Sequence, residues 1–228
     1  MPTTVNEAVA GREIFSERCG LEKRLEDLLK NWKKRNIEGC YFEKKDPIRQ
    51  RIFDLIPGNA TIGFSGSQTL EQLEIIKMLE VRGNTVFNQY DPKLSRQESL
   101  ELRKRGALAD FYLCSANAIA QSGELVFFSA HGQRIAGIAD AKNVIVVAGI
   151  NKITDGLDSA IRRAREYATP LNSRRLKWNT PCFSEGKCRN EICFYPDYKR
   201  MCCQILIIEA ELNPERLKVI LAGEELGF

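Results

Sequence analysis

The chain carries a single histidine, His131, in 228 residues. That excludes a metal site built from several histidines. It also excludes a Ser-His-Asp or Cys-His catalytic set unless His131 is itself the base. Long apolar runs are missing too. VIVVAGI and QILIIEA are the longest, far short of the roughly 20 residues of a membrane-spanning helix. The opening residues, MPTTVNEAVAGREIF, have neither the basic start nor the apolar stretch of a secretory signal. No charge of one sign dominates: the formal net charge is +4, and between Arg12 and Asp54 basic and acidic residues alternate as on a solvated helix. Neither a Walker loop nor a GxGxxG fingerprint is present, and no aromatic-rich RNA motif or DNA-reading motif accompanies the basic residues. With 43% hydrophobic and 28% charged residues the composition is that of a globular protein. The expectation is a cytoplasmic protein with no membrane span and no nucleic-acid partner.

What the chain has in excess is cysteine in one place. Five of its eight cysteines, Cys182, Cys188, Cys193, Cys202 and Cys203, fall within 22 residues. The other three, Cys19, Cys40 and Cys114, are scattered. In a reducing compartment such crowding points to metal rather than to disulfides. Cys182, Cys188, Cys193 and Cys202 read C-x5-C-x4-C-x8-C. This contains neither the paired C-x2-C knuckles of zinc ribbons nor the ferredoxin run, so four thiolates here suit Zn²⁺ or an iron–sulfur cluster. Free thiols or a disulfide are the alternative. Neighbouring side chains of an extended segment diverge, so at most one of Cys202 and Cys203 serves a single ion. Between Arg174 and Arg200 seven Lys/Arg stand against three Asp/Glu, an excess that offsets thiolate charge.

Elsewhere the chain alternates strand with helix. Residues 7–36 read as a helix with Leu21, Leu25, Leu28 and Leu29 on one face. GCYFEKK reads as a strand, and Asp46-Pro47 as the N-cap and first turn of the helix IRQRIFDLI. ATIGFS, NTVFNQY, DFYLCSAN, ELVFFS and NVIVVAG read as strands. TLEQLEIIKMLEVRG, PKLSRQESLELRKRGALA and DGLDSAIRRAREYATPLN read as helices between and after them. The fold expected is α/β: a mostly parallel, Rossmann-like sheet flanked by helices. NVIVVAG is apolar throughout, as in a strand covered on both faces. QILIIEAEL and RLKVILAGE are expected to return to that sheet. The division expected is an N-terminal helical segment, 1–57, packed on an α/β domain, 58–228, that includes a cysteine-rich metal segment, 177–203.

Four stretches carry candidate chemistry. In TIGFSGSQTLEQL a strand runs into Ser65, Gly66 and Ser67 and then a helix, with Thr69 and Gln72 at capping-box spacing. Glycines turn backbone amides toward a ligand and hydroxyls add donors, so the loop reads as a cradle for phosphate or carboxylate. It reads equally as a tight turn that binds nothing. Ser115 and Asn117 lie just past a strand's C-terminal end, the edge where open α/β sheets bind ligands. Glu124 sits in the following turn, either as a general base or nucleophile or as an exposed turn acid, the reading its spacing favours. Arg134, in HGQRIAG, offers a fork for a carboxylate or phosphate, or a salt bridge, while His131 reads as a solvent-facing turn residue. Asn151 and Lys152 follow NVIVVAG at the ligand edge, where a lysine is a natural anion contact. Cys114, ending an apolar strand, reads as a small buried residue.

The blocks IGFSGSQTL, ADFYLCSANAIAQSGELV, GQRIAGIADAKNVIVVAGINKI, AIRRAREYATPLNSRRL, TPCFSEGKC and VILAGEELGF together resemble the LUD domain family, the lactate-utilisation proteins of the LutC/YkgG type. The resemblance covers about 59–228. It implies the fold shared by pentose-phosphate isomerases, glucosamine-phosphate deaminases and CoA transferases (the NagB/RpiA/CoA-transferase-like group). It further implies that Ser65, Gly66, Ser67 and Thr69 contact an anionic small molecule, and that Ser115, Asn117, Glu124, Asn151 and Lys152 line the same cleft. It implies that Cys202 rather than Cys203 is the fourth ligand, because Arg200-Met201-Cys202 fits the family's last cysteine element. The gap from Cys188 to Cys193 is two residues longer than the family's usual one, and Gly132-Gln133-Arg134 stands where the family usually has GNR.

The implied role is that of an accessory iron–sulfur subunit in the oxidation of lactate to pyruvate, beside iron–sulfur redox partner proteins. The rival readings are a stand-alone enzyme on sugar phosphates or acyl-CoA with Glu124 as base or nucleophile, and a non-catalytic binding or regulatory module with structural zinc. No dimerisation motif stands out, and an oligomer is left open.

Overall fold

The computed structural model describes the backbone of residues 5–228 and the side chains of residues 20–228. Its strands are β1 (Glu38–Phe42), β2 (Thr61–Phe64), β3 (Thr85–Val86), β4 (Phe111–Cys114), β5 (Ala118–Ala120), β6 (Leu125–Ser129), β7 (Asn143–Gly149), β8 (Ile153–Thr154), β9 (Gln204–Ile208) and β10 (Leu217–Ala222). The α-helices are α1 (Val5–Lys34), α2 (Lys45–Leu55), α3 (Gln68–Gln72), α4 (Ile75–Arg82), α5 (Arg96–Ala107), α6 (Gln133–Asp140), α7 (Leu157–Arg163), α8 (Thr169–Arg175) and α9 (Pro181–Glu185).

A six-stranded sheet in the order β1-β10-β7-β4-β2-β3 is parallel throughout. The α/β expectation is therefore met. Successive side chains of a strand point to opposite faces, and in β7 both faces are buried. Val144, Val146 and Ala148 join Leu25, Leu28 and Trp32 of α1 in one core, while Ile145 and Val147 join Ile48 and Ile52 of α2 and Leu70 of α3 in another. A second sheet, β8-β5-β6-β9, carries antiparallel pairings of β6 with β5 and β9. Its Ile119, Leu125 and Phe127 pack into the first core, and its other face, with Ala118, Val126 and Phe128, packs against Ala160 and Ala164. On α1, Leu21 is exposed and Trp32 takes the buried place on the stripe.

Several expectations change in detail. QILIIEAEL does not return to the parallel sheet: β9 pairs with β6 from Leu125↔Ile208 to Ser129↔Gln204. Only β10 returns, between β1 and β7. The helix expected over TLEQLEIIKMLEVRG breaks into α3 and α4 at Glu74, which is left-handed at φ 53°. NTVFNQY keeps two residues of strand, and α5 starts at Arg96 behind a capping box of Ser95 and Glu98. α2 begins at Lys45, so Asp46 is a first-turn acid, paired with Arg49 at 2.8 Å, and not the N-cap. The helix expected to the end of ATPLN is continuous from α7 to α8 but passes through a π-helical turn at Ala164–Ala168. Pro170 has no N–H to give the preceding turn, and the Thr169 hydroxyl instead donates to the Ala164 carbonyl at 2.8 Å.

The position of the β2 loop is fixed by close backbone contact. A Cβ on Gly63 would lie 1.9 Å from the carbonyl oxygen of Gly106 in α5. Gly63→Ala is therefore expected to cost roughly 1–3 kcal/mol through overpacking. Gly58→Ala, where a Cβ meets nothing within 4 Å, is the control. Denaturant melts of the two variants test it; equal midpoints would contradict the close packing.

Candidate functional site

Ser65, Ser115 and Lys152 follow the C-terminal ends of β2, β4 and β7, which are neighbours in the parallel sheet. This is the edge where such sheets bind ligands. The three side chains line one cleft of about 750 Å³ together with Gly66, Ser67, Thr69, Asn117 and Arg134. The structure thus brings together eight of the ten ligand-site and catalytic candidates outside the cysteine segment.

At the floor of the cleft Lys152 is 3% exposed. Its Nζ donates to Thr69 Oγ1 at 3.0 Å and to Ser115 Oγ at 2.8 Å. The two hydroxyls are 3.2 Å apart, and Thr69 donates onward to the Leu226 carbonyl. Among the described residues no carboxylate pairs with Lys152. Burial pulls its pKa down to about 7, helped by the nearby charges of Arg163 and Arg134. Arg134 enters from α6. Its guanidinium donates to Asn117 Oδ1 at 2.8 Å, to the Gly66 carbonyl at 3.1 Å and to Ser65 Oγ at 3.3 Å. It too has no carboxylate partner among the described residues, so both basic groups meet at the cleft with neutral direct partners, while Glu71, Glu74, Glu80 and Asp91 line the cleft elsewhere. Ser65, Ser67, Thr69 and Ser115 are all buried.

The cap of α3 differs from the expected box. Ser67, not Thr69, is the N-cap, and its side chain accepts from the Leu70 N–H. Thr69 is thereby free to face Lys152, and Gln72 Oε1 accepts from the Gly227 N–H at 2.8 Å. Asn151 does not line the cleft. It holds the same terminal segment, accepting from Leu226 N and donating to the Gly227 carbonyl, each at 3.3 Å. Gly227 is left-handed, at φ 61°, and a Cβ there would meet Thr69 Oγ1 at 2.7 Å.

Glu124 is not brought to the cleft. The turn after β5 packs on α1, where Trp32 Nε1 donates to the Gly123 carbonyl at 2.9 Å and Arg35 Nε to the Ser122 carbonyl at 3.0 Å. The Glu124 carboxylate pairs with Arg35 at 2.7 Å and accepts from the Ser122 hydroxyl. Burial raises its pKa, but the Ser122 bond and the Arg35 charge outweigh that and lower it. Cys114 is fully buried, and burial pushes its thiol up to about 12, as suits a packing residue. His131 is exposed, edge-on to Trp178 with ring centres 5.7 Å apart. Sequence reasoning missed Tyr90, whose hydroxyl accepts from the Gly66 N–H at 2.6 Å. It also missed Gln133, Trp178 and Phe228, which line the cleft. No local pattern marks any of these.

Cys182, Cys188, Cys193 and Cys202 line a second, much smaller cavity of about 10 Å³. α9 supplies Cys182, capped by the Thr180 hydroxyl. Cys203 is exposed and bonds the Arg200 carbonyl instead. Among the described residues no group of three or more His, Cys, Asp or Glu side chains already stands as a ligand set. The surroundings nevertheless suit sulfur anions. Arg165, Arg189 and Arg200 line the cavity, and Arg165 Nε is a buried donor without a hydrogen-bond partner. Burial raises the thiol of Cys193 to about 11 and raises those of Cys188 and Cys202, while Arg165 pulls the last two back down and Arg200 lowers Cys193 and Cys202. Thr169 and Met201 line both cavities, so cleft and thiols share a wall.

No curated protein matches the chain. A solved structure of a DUF162 family protein from Deinococcus radiodurans is similar over 90% of this chain and 98% of its own, at 13% identity and a TM-score of 0.48. A solved structure of eIF2B beta from Chaetomium thermophilum is similar over 50% of this chain and 44% of its own, at 21% identity and a TM-score of 0.36. The LUD domain profile matches residues 25–222, nearly the whole described fold, and the chain belongs to the LUD domain family.

Proposed function

We propose that this protein binds a small organic anion in the cleft beside Lys152 and Arg134, and that it does so in lactate utilisation, the process with which its family is associated. The observation that carries this reading is that Lys152 and Arg134 face one cleft and that, among the described residues, no carboxylate pairs with either. A buried ammonium without a counter-charge is costly, and an arriving carboxylate or phosphate supplies the missing charge. Ser67, whose side chain only accepts from the Leu70 N–H, adds a neutral O–H donor. Glu124, held by Arg35, has no part in this reading.

Lactate, phosphate and a sugar phosphate are the first ligands to try, by thermal shift on the full chain. An anion that binds raises the melting temperature in proportion to RT ln(1 + [L]/Kd). Arg134→Gln removes one charged contact, about 1.5–3 kcal/mol, so the affinity is expected to fall roughly ten- to a hundredfold. Lys152 sheds its charge as pH rises through about 7. Binding of such an anion is therefore expected to take up a proton and to weaken from about pH 6 to about pH 8. A titration whose affinity is flat across that range would remove Lys152 from the anion site.

The shared cavity of the four thiols supports a second site. We infer that Cys182, Cys188, Cys193 and Cys202 hold a metal centre, with the Arg165 N–H donating to a thiolate. Space of about 10 Å³ is room for roughly one water-sized body. It favours a single four-coordinate zinc ion over the iron–sulfur cluster that redox partners would suggest. When bound, the ion would order a segment with few apolar contacts of its own. Anaerobically prepared protein is expected to hold about one zinc per chain and to lack broad visible absorption; a brown protein with stoichiometric iron would reverse the choice. Metal displaces protons from thiols whose pKa values are raised, so affinity rises with pH. Cys182→Ser should release the metal and lower the melting temperature, and Cys203→Ser should do neither.

A further inference from the structure

We propose that Lys152 is a nucleophile that captures the carbonyl carbon of an α-keto acid held in the cleft, forming an imine with it. The proposal rests on the anion site described above and adds to it a reaction and a substrate class.

The hydrogen bonding around Lys152 suits a neutral amine. A neutral amine has two N–H donors and one lone pair, and an ammonium has three donors. Two acceptors are present, Thr69 Oγ1 and Ser115 Oγ, and among the described residues no third one is. Both hydroxyls sit on fixed backbone, one beside the buried cap of α3 and one at the end of β4, so they orient the amine as well as satisfy it. With both N–H bonds used, the lone pair is the part of the nitrogen left without a partner. Lys152 is 3% exposed yet lines the cleft of about 750 Å³, which is the side from which a ligand approaches it. Burial and the charges of Arg163 and Arg134 favour the neutral form. Such desolvation is how lysines become nucleophiles toward carbonyls.

The acid group of the substrate is set by the other cation. Arg134 lines the same cleft, and the acceptors of its hydrogen bonds are all neutral oxygens: Asn117 Oδ1, Ser65 Oγ and the Gly66 and Phe128 carbonyls. A carboxylate next to the reacting carbonyl gives that guanidinium its counter-charge while the carbonyl faces Lys152. The step balances as follows. The Nζ lone pair forms the C–N bond, and the carbonyl oxygen takes a proton to give a carbinolamine. Loss of that oxygen as water, with the second amine proton, leaves the C=N bond. No oxidant or reductant takes part, and hydrolysis reverses the reaction.

The test uses the full chain, pyruvate as probe and cyanoborohydride as trap. The reagent's hydride reduces the imine to a stable carboxyethyl amine. Intact mass and peptide mapping then locate it. At pH 7 an ordinary surface lysine is neutral in roughly one molecule in a thousand, so Lys152 is expected to be labelled at least about a hundredfold faster than any other lysine. Lactate, with a hydroxyl in place of the keto group, should protect Lys152 without labelling it. Lys152→Arg has no nucleophilic amine and should abolish the adduct. Labelling should also speed up from about pH 6 to about pH 8, the opposite of the trend expected for binding of lactate. Lactate binding without any pyruvate adduct on Lys152 would overturn the nucleophile and leave the anion site standing. Absence of both would overturn the two together, and labelling spread evenly over surface lysines would overturn the nucleophile even where anions bind.

Discussion

Taking an ammonium out of water costs several kcal/mol even after the protein relaxes, and Lys152 is placed where that cost is met by two hydroxyls and by loss of charge. The rest of the site is arranged around this constraint. Thr69 faces Nζ because Ser67 has taken the capping role at α3. Ser115 faces it because β4 lies between β2 and β7 in the sheet. Leu226 and Gly227 lie against Thr69 because Gln72 and Asn151 hold their backbone.

The thiol cavity depends on a different device. α7 and α8 form one helix only by passing through a π turn, a feature that is rare and concentrates at functional sites. That turn ends at Thr169, whose side chain lies on the wall common to both cavities. Met201 is the other shared residue, held by a contact from Asn172 Nδ2 to its sulfur at 3.3 Å. Ordering of the cysteine segment and shape of the cleft therefore run through the same two side chains.

Much of this was legible in the sequence, and the part that was not has one cause. NVIVVAG announced a central strand because its composition leaves no solvent face. Ser65, Ser115 and Lys152 were found because each follows a strand end, and that relation survives folding. Glu124, whose spacing favoured an exposed turn acid, was drawn toward the cleft only by the family resemblance. What decides its position is Arg35, which lies 89 residues away in the chain and reaches it only after α1 docks on the hairpin. Tyr90 lay in a segment that read as strand, and only the fold carries its hydroxyl to Gly66. QILIIEAEL shows the complementary limit: apolar alternation identifies a strand but does not name its partner. The short-range chemistry of caps, glycines and apolar runs is written locally, whereas pairing across the fold is decided by which surfaces meet.

β10 has a further consequence. It is an interior strand, bonded on one side to β1 and on the other to β7, although it is drawn from residues 217–222. A nascent chain emerging from the ribosome therefore holds Glu38–Phe42 without its neighbour until Ala222 has left the exit tunnel. Contacts of such high order form late and slowly, and an open strand edge in the interval is a template for wrong pairing. Completion of the parallel sheet therefore waits on the last strand to be made, the one that joins β1 to β7.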